Sequence, residues 1–320
     1  MDQEEAPSTP VDASYYEQTH VHAVYDAIAD HFSATRYAPW PLVAQFLAAQ
    51  PLGAIGLDVG CGNGKYLSGA SGAPLPPSST EFPQLFVLGS DRSEALARLA
   101  YAKHAHHQVG ADVLLADSLA LPFRDQCADF VICIAVVHHL STRARRQAAV
   151  EELLRCVRRP EANRQDKSEG EKEEAPPPAS SAAQTPLLTG RVLLYVWALE
   201  QSSSRRGWAA GGEQDLLVPW VKTMKDKSKK ADQDKDQDKV KDKKKHKNKN
   251  KTQDTAEEPP EKTQAEQPQP QPQPYVPPVF HRYYHLYKQG ELEDDVAAVG
   301  GRVVASGYEK DNWWVVADPL

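Results

Sequence analysis

Between residues 58 and 64 the chain reads Asp-Val-Gly-Cys-Gly-Asn-Gly: an acid, one spacer, then glycines at 60, 62 and 64. Glycines at that spacing let a backbone turn tightly and approach a ligand without Cβ contacts. A dinucleotide site would want Gly-x-Gly-x-x-Gly, with the third glycine packing a helix beside a pyrophosphate; Lys65 stands there instead. Two further acids follow at Asp91 and at Asp117, the latter next to Ser118. Basic residues recur as Arg36, His138-His139 and Arg205-Arg206, and an arginine fork can hold a carboxylate bidentately. No Ser/His/Asp or Cys/His arrangement for nucleophilic catalysis stands out. The cysteines (Cys61, Cys127, Cys133, Cys156) include no Cys-x-x-Cys pair, so no metal site is expected.

These residues need elements to hold them. Apolar positions from Tyr15 to Phe32 have the spacing of an amphipathic helix, and Pro41 opens a second. Ile55–Val59 is a short buried strand entering the glycine turn, and Leu85–Gly89 is a second, followed by a helix over Ser93–His104. Strands are expected at Asp112–Ala116, Asp129–Val136 and Arg191–Ala198. Ser141 is expected to cap a helix running through Arg158. A helix over Glu291–Val299 precedes strands Val303–Tyr308 and Trp313–Ala317, whose short link makes them an antiparallel hairpin. Strands alternating with helices predict an α/β, doubly wound, mostly parallel Rossmann-like sheet ending in that hairpin, the arrangement of class I methyltransferases.

The chain has 320 residues and a net charge of −7, which argues against a basic protein that coats nucleic acid. Residues 1–13 contribute −4, residues 160–189 −3, residues 222–251 +8 and residues 252–275 −4. These stretches lack periodic apolar positions, so a disordered tail (1–13) and disordered insertions at about 160–189 and 222–275 are expected within one domain, 14–320. The lysine run could be a solvated loop, a nuclear signal or an RNA tether. No apolar run is long enough to span a bilayer, and a cytoplasmic or also nuclear location is expected.

The glycine turn resembles motif I of S-adenosylmethionine enzymes. Further strings are more particular: HVHAVYDAIADHFSATRYAPWPLVAQFL (20–47), AVVHHLSTRARR (135–146), EQDLLVPWV (213–221), RYYHLYKQGEL (282–292) and GYEKDNWWVVA (307–317). Together they resemble the tRNA wobble-uridine carboxymethyl methyltransferases, which convert 5-carboxymethyluridine in the anticodon to its methyl ester. Departures are an insertion at 71–83, the 160–189 insertion and the length of the Lys/Gln-rich linker. Two rivals stay in view: a methyltransferase of the same fold acting on a small-molecule or protein carboxylate, and a non-catalytic tRNA-binding scaffold. The scaffold would be expected to have lost the cofactor acids.

The resemblance implies S-adenosylmethionine as cofactor. Asp58 and the loop of Gly60, Cys61, Gly62, Asn63 and Gly64 would hold its methionine end. Asp91, with Arg92 beside it, suits the ribose, because a carboxylate accepts from both hydroxyls. Asp117 and Ser118 suit the adenine edge, and Ala135 lies at the fourth-strand tip. Arg36, His138 and Arg206 are the candidate catalytic residues. Arg36 would grip either the methionine carboxylate or the substrate carboxylate, or be a surface ion pair; His138 and His139 could instead pack a helix entry. Tyr37, Trp40, His139, Arg143 and Arg205 are the candidate substrate contacts, while Tyr25 fits core packing better. Arg143, Arg145 and Arg146 are expected near the site mouth as a local RNA-facing charge. The resemblance also implies two partners: the tRNA anticodon loop, and a small zinc-binding adaptor subunit docking along edge strand 112–116.

Overall fold

In the computed structural model, residues 10–36, 38–68, 85–104, 111–159, 190–201, 208–222 and 277–320 are described. The expected insertions at 71–83 and 160–189, and nearly all of 222–275, lie outside them. The described residues form nine strands: β1 (Ala54–Val59), β2 (Leu85–Asp91), β3 (Ala111–Leu115), β4 (Phe130–Ile134), β5 (Arg191–Trp197), β6 (Asp215–Val221), β7 (Val279–His285), β8 (Gly301–Glu309) and β9 (Asn312–Pro319). Their helices are α1 (Pro10–Glu17), α2 (Ala23–Thr35), α3 (Pro41–Ala48), α4 (Glu94–His104), α5 (Arg143–Cys156) and α6 (Glu291–Ala298).

Seven strands form one sheet in the order β3-β2-β1-β4-β5-β9-β8. The first five pair in parallel, and β9 is antiparallel to both neighbours, so the doubly wound sheet ends in the expected hairpin. Strand order reverses between β1 and β4, and an α/β sheet binds ligands outside the carboxyl ends of its strands at such a reversal.

The period of two along each strand divides the core. Val131 and Cys133 of β4, with Val192, Leu194 and Val196 of β5, face Val150, Leu153 and Leu154 of α5 and Leu292 and Val296 of α6. Phe130, Ile132, Leu193 and Tyr195 face the other way, onto Val43, Phe46 and Leu47 of α3 and Ala100 of α4. Each fully buried aliphatic side chain stabilises this packing by about 1.5–3 kcal/mol. Gly56 is needed where Phe130 crosses β1: a Cβ there would lie 2.0 Å from the ring.

Three expectations change. The first helix begins at Pro10, inside the segment expected to be a disordered tail, and Ala13 is fully buried. It continues through a π-helical turn, Gln18–His22, into α2. The cap of α5 is Thr142 rather than Ser141: Thr142 Oγ1 accepts from Arg145 N–H at 3.4 Å. Ser141 is instead tied to the buried Glu17 carboxylate through its N–H (2.7 Å) and Oγ (2.9 Å). Finally, β6 and β7 pair as a separate two-stranded sheet that the sequence patterning did not predict. The chain divides into two compact units, 1–220 with 280–320 and 221–279. Within the second, Lys222 N–H donates to the Pro278 carbonyl at 3.0 Å.

Candidate active site

The carboxyl ends of β1, β2 and β4 border a cavity of about 860 Å³, the size of a small-molecule site. Its floor is the glycine turn. Gly60 and Cys61 both donate to the Ser90 carbonyl, at 2.7 and 2.9 Å, which fixes the turn against the tip of β2. Gly60 has φ +75°, and a Cβ there would lie 2.2 Å from Val136 Cγ2, so no other residue fits without displacement. Ala135 at the tip of β4 is also held at positive φ, +63°, the kind of local strain that a surrounding structure sustains at ligand sites.

Two acids rise from this floor. Asp58 is 1% exposed and its Oδ2 has no hydrogen-bond partner among the described residues. Burial pushes its carboxyl up to about 7; the Lys65 charge opposes the shift and Asp91 adds to it. Asp91 accepts from Gly62 N–H through Oδ2 and from Ser93 N–H through Oδ1, both at 2.8 Å. Burial raises it to about 6 against those two backbone donors. At the rim Arg92 pairs with Asp117.

The opposite wall is aromatic and basic. Trp197 N–H donates to His138 Nδ1 at 3.0 Å, which puts the ring proton on Nε2; that atom is buried and has no partner among the described residues. His139 Nδ1–H donates to the Tyr283 carbonyl at 2.7 Å, so its Nε2 accepts from the Tyr25 hydroxyl at 2.9 Å. Both imidazoles are driven below their ordinary value, first by burial. Next comes the charge of the other histidine for His138, whereas for His139 the Tyr283 hydrogen bond opposes the shift. They are neutral at physiological pH. Tyr284 stacks on Trp197 with ring centroids 4.2 Å apart. Arg36 and Arg282 both face the Trp220 ring, at 5.6 and 4.6 Å from its centroid.

The floor thus offers unpaired carboxylate, and the wall offers cations, one free neutral histidine donor at His138 Nε2 and ring faces. Comparison with known proteins says what uses such a site. A methyltransferase domain model matches residues 57–160. A tRNA (carboxymethyluridine(34)-5-O)-methyltransferase of Saccharomyces cerevisiae is 39% identical over 316 residues, covering 95% of this chain and 97% of its own. One of Schizosaccharomyces pombe is 34% identical, with the same two coverages. The chain belongs to this family. A Xenopus tropicalis relative of the same description, 31% identical, is covered over 44% of its length by 99% of this chain.

Most residues that resemblance to this family singled out converge on the cavity: Arg36, Trp40, Asp58, Gly60, Cys61, Gly62 and Asn63 line it. So do Asp91, Arg92, Asp117, Ser118, Ala135, His138 and His139. Gly64 does not. Its carbonyl meets His104 Nε2 at 2.8 Å, and it shapes the turn from behind. Arg143 does not line the cavity; its Nε donates to the buried Asp295 carboxylate at 2.8 Å. Arg145 is likewise bound to Glu17, and Arg146 to the Leu140 carbonyl and Glu291; those two side chains are largely buried, whereas that of Arg143 is half exposed. Tyr37, Arg205 and Arg206 lie outside the described residues. Sequence reasoning missed Arg282 and Tyr284 as site residues; Tyr25 both packs on the core cluster of Tyr16, Val21 and Tyr283 and lines the cavity. The signal lay in the alternation Arg282-Tyr283-Tyr284-His285. With a strand period of two it turns the arginine and Tyr284 to one face, and Tyr283 with His285 to the other.

Proposed function

We propose that this protein is a tRNA methyltransferase that uses S-adenosylmethionine to esterify the carboxylate of 5-carboxymethyluridine at the anticodon wobble position. The observation that carries this reading is the orphaned Asp58 carboxylate, buried at the glycine turn on the reversal of strand order. A buried carboxylate without a partner is costly, and the α-ammonium group of the cofactor is the cation that relieves it. Asp91 retains lone pairs for the ribose hydroxyls after serving Gly62 and Ser93, and Asp117 with Ser118 lies farther along the rim for the adenine.

Bound S-adenosylmethionine supplies a methyl group on a positively charged sulfur. The protein's own task is then placement. A carboxylate nucleophile is ionised at neutral pH, since its ordinary pKa is about 4, so no general base is needed. The neutral histidines agree with that, because neither is poised to remove a proton at pH 7. Opposite charges on sulfonium and carboxylate both disappear in the products. The aromatic wall of Tyr25, Trp197 and Tyr284 would favour the charge-dispersed transition state over the hydrated reactants. Aligning oxygen, methyl carbon and sulfur supplies the remaining acceleration.

A partner is part of the proposal. β3 is the sheet edge, with Leu115 59% exposed on it and Tyr101 of α4 58% exposed beside it. An apolar open edge favours coverage by strand addition, which supports docking of the zinc-binding adaptor there. Cytoplasmic action fits the four cysteines, all free. The test is to incubate anticodon RNA carrying 5-carboxymethyluridine with the protein, the adaptor and S-adenosylmethionine, then digest to nucleosides. The methyl ester is the expected product. Its absence, with a small-molecule or peptide carboxylate esterified instead, would refute the assignment.

A further inference from the structure

Two guanidinium groups face this cavity without a carboxylate partner among the described residues, Arg36 and Arg282. The arginines beside them differ: Arg92, Arg143, Arg145 and Arg146 each have a carboxylate within 4 Å. Arg282 is 2% exposed, and a buried cation with no counter-ion is a strongly unfavourable arrangement unless a ligand completes it. We propose that Arg282 receives the substrate carboxylate, and that Arg36 serves the carboxylate of the cofactor. The assignment rests on the reaction proposed above and divides two anions between two cations that share the Trp220 ring.

Hydrogen-bond direction supports the division. The Tyr283 carbonyl can only accept, so His139 donates from Nδ1 and accepts at Nε2. Tyr25 must then give its hydroxyl proton to His139, which leaves its oxygen to accept from Arg282 Nη1 at 3.1 Å and from the Tyr284 hydroxyl at 3.3 Å. The chain fixes one edge of the guanidinium. Arg282 Nε, on the other edge, is buried and has no partner among the described residues. That edge is the one with which arginine holds a carboxylate side-on. Position separates the two arginines as well. The Arg36 carbonyl accepts from Asn63 Nδ2 at 3.1 Å, which ties that residue to the glycine turn and the methionine end. Arg282 stands beside Tyr284, whose ring packs on Trp197 and on His138, the aromatic side on which a pyrimidine can stack.

This placement has a consequence for turnover. The clamp binds a carboxylate through its charge, and esterification removes that charge, so the product loses the contact that held the substrate. A carboxamide in the same position would also be bound poorly.

The test uses the full chain and anticodon stem-loop RNAs carrying either 5-carboxymethyluridine or its neutral analogue 5-carbamoylmethyluridine, bound in the presence of S-adenosylhomocysteine. Wild-type protein should prefer the carboxylate RNA. Arg282→Met should lose about a hundredfold in kcat/KM and bind the two RNAs equally, with its affinity for S-adenosylmethionine unchanged. Arg282→Lys should keep part of the preference. Arg36→Met should weaken cofactor binding and leave the preference intact. The proposal is overturned if Arg282→Met retains the preference, or if both Arg282 variants lose cofactor binding, which would put the residue in the cofactor site or the fold. Failure of the wild-type protein to esterify carboxymethyluridine RNA would refute the reaction itself, a result distinct from either of these.

Discussion

Replacing Asp58 with asparagine should stabilise the cofactor-free protein while abolishing its ability to bind the cofactor. In the folded chain the carboxyl is raised to about 7, chiefly by burial, against about 3.9 in an unfolded chain. Below pH 3.9 both states are protonated and the group has no effect. Between 3.9 and 7 the folded state holds a proton that the unfolded state has released, so stability falls as pH rises, by about 1.4 kcal/mol per unit. The penalty reaches about 4 kcal/mol above pH 7 and stays there. The Asp58→Asn variant would escape it, although its buried amide carries a pH-independent penalty of about 1–3 kcal/mol. The pH-independent part cancels in a difference. The melting-temperature gap between variant and wild type should therefore widen by about 3 kcal/mol, roughly 5–10 °C, from pH 5 to pH 7.5. Calorimetry across that range reads the gap, and titration with S-adenosylmethionine reads the lost affinity. A gap that is flat or narrows with pH would refute the electrostatic argument, and retained cofactor affinity would remove Asp58 from the site.

Gly60→Ala places a methyl group against Val136 at a positive φ, so a loss of about 1–3 kcal/mol in stability and weaker cofactor binding are expected by calorimetry and titration. His285 bridges Asp215 (2.9 Å) and Glu291 (2.8 Å). Burial opposes its charge, but those hydrogen bonds outweigh burial and raise its pKa. Its contribution is complete below the unfolded value of about 6.5 and declines as pH rises through the folded one. The melting-temperature deficit of His285→Gln should thus shrink between pH 6 and pH 9; growth over that range would contradict the ion-pair account. Leu115→Asp, on the open edge of β3, should weaken adaptor binding at least tenfold in a pull-down titration while leaving cofactor affinity unchanged. Equal adaptor affinity would move the docking surface elsewhere.

The glycine turn and the acids after β1, β2 and β3 were legible because their chemistry is local: a few consecutive residues specify a turn and the group at its end. The sheet was legible for a similar reason, since apolar runs and alternating helices dictate parallel crossovers. Arg282 and Tyr284 were not. Their place depends on β7 pairing with β6 across more than fifty intervening residues, and nothing in RYYH alone says which face meets the cavity. The partners of the α5 arginines were hidden for the same reason. A local count finds Arg143, Arg145 and Arg146 together, but their carboxylate partners Asp295, Glu17 and Glu291 each lie more than a hundred residues away. The start of α1 was hidden because residues 1–13 lack periodic apolar positions; the helix nonetheless begins at Pro10 and buries Ala13.

The backbone contact between Lys222 and Pro278 brings the two ends of the intervening segment together. Closing a loop costs entropy that grows only with the logarithm of its length, about 0.6 kcal/mol per doubling. On that scaling, closing Lys222 onto Pro278 across the 55 residues between them costs about 2 kcal/mol more entropy than closing a turn of six or seven residues, three halvings shorter. A family can therefore lengthen this connection freely, acquiring charge or binding motifs there, while Trp220 and Arg282 keep their places on either side of it.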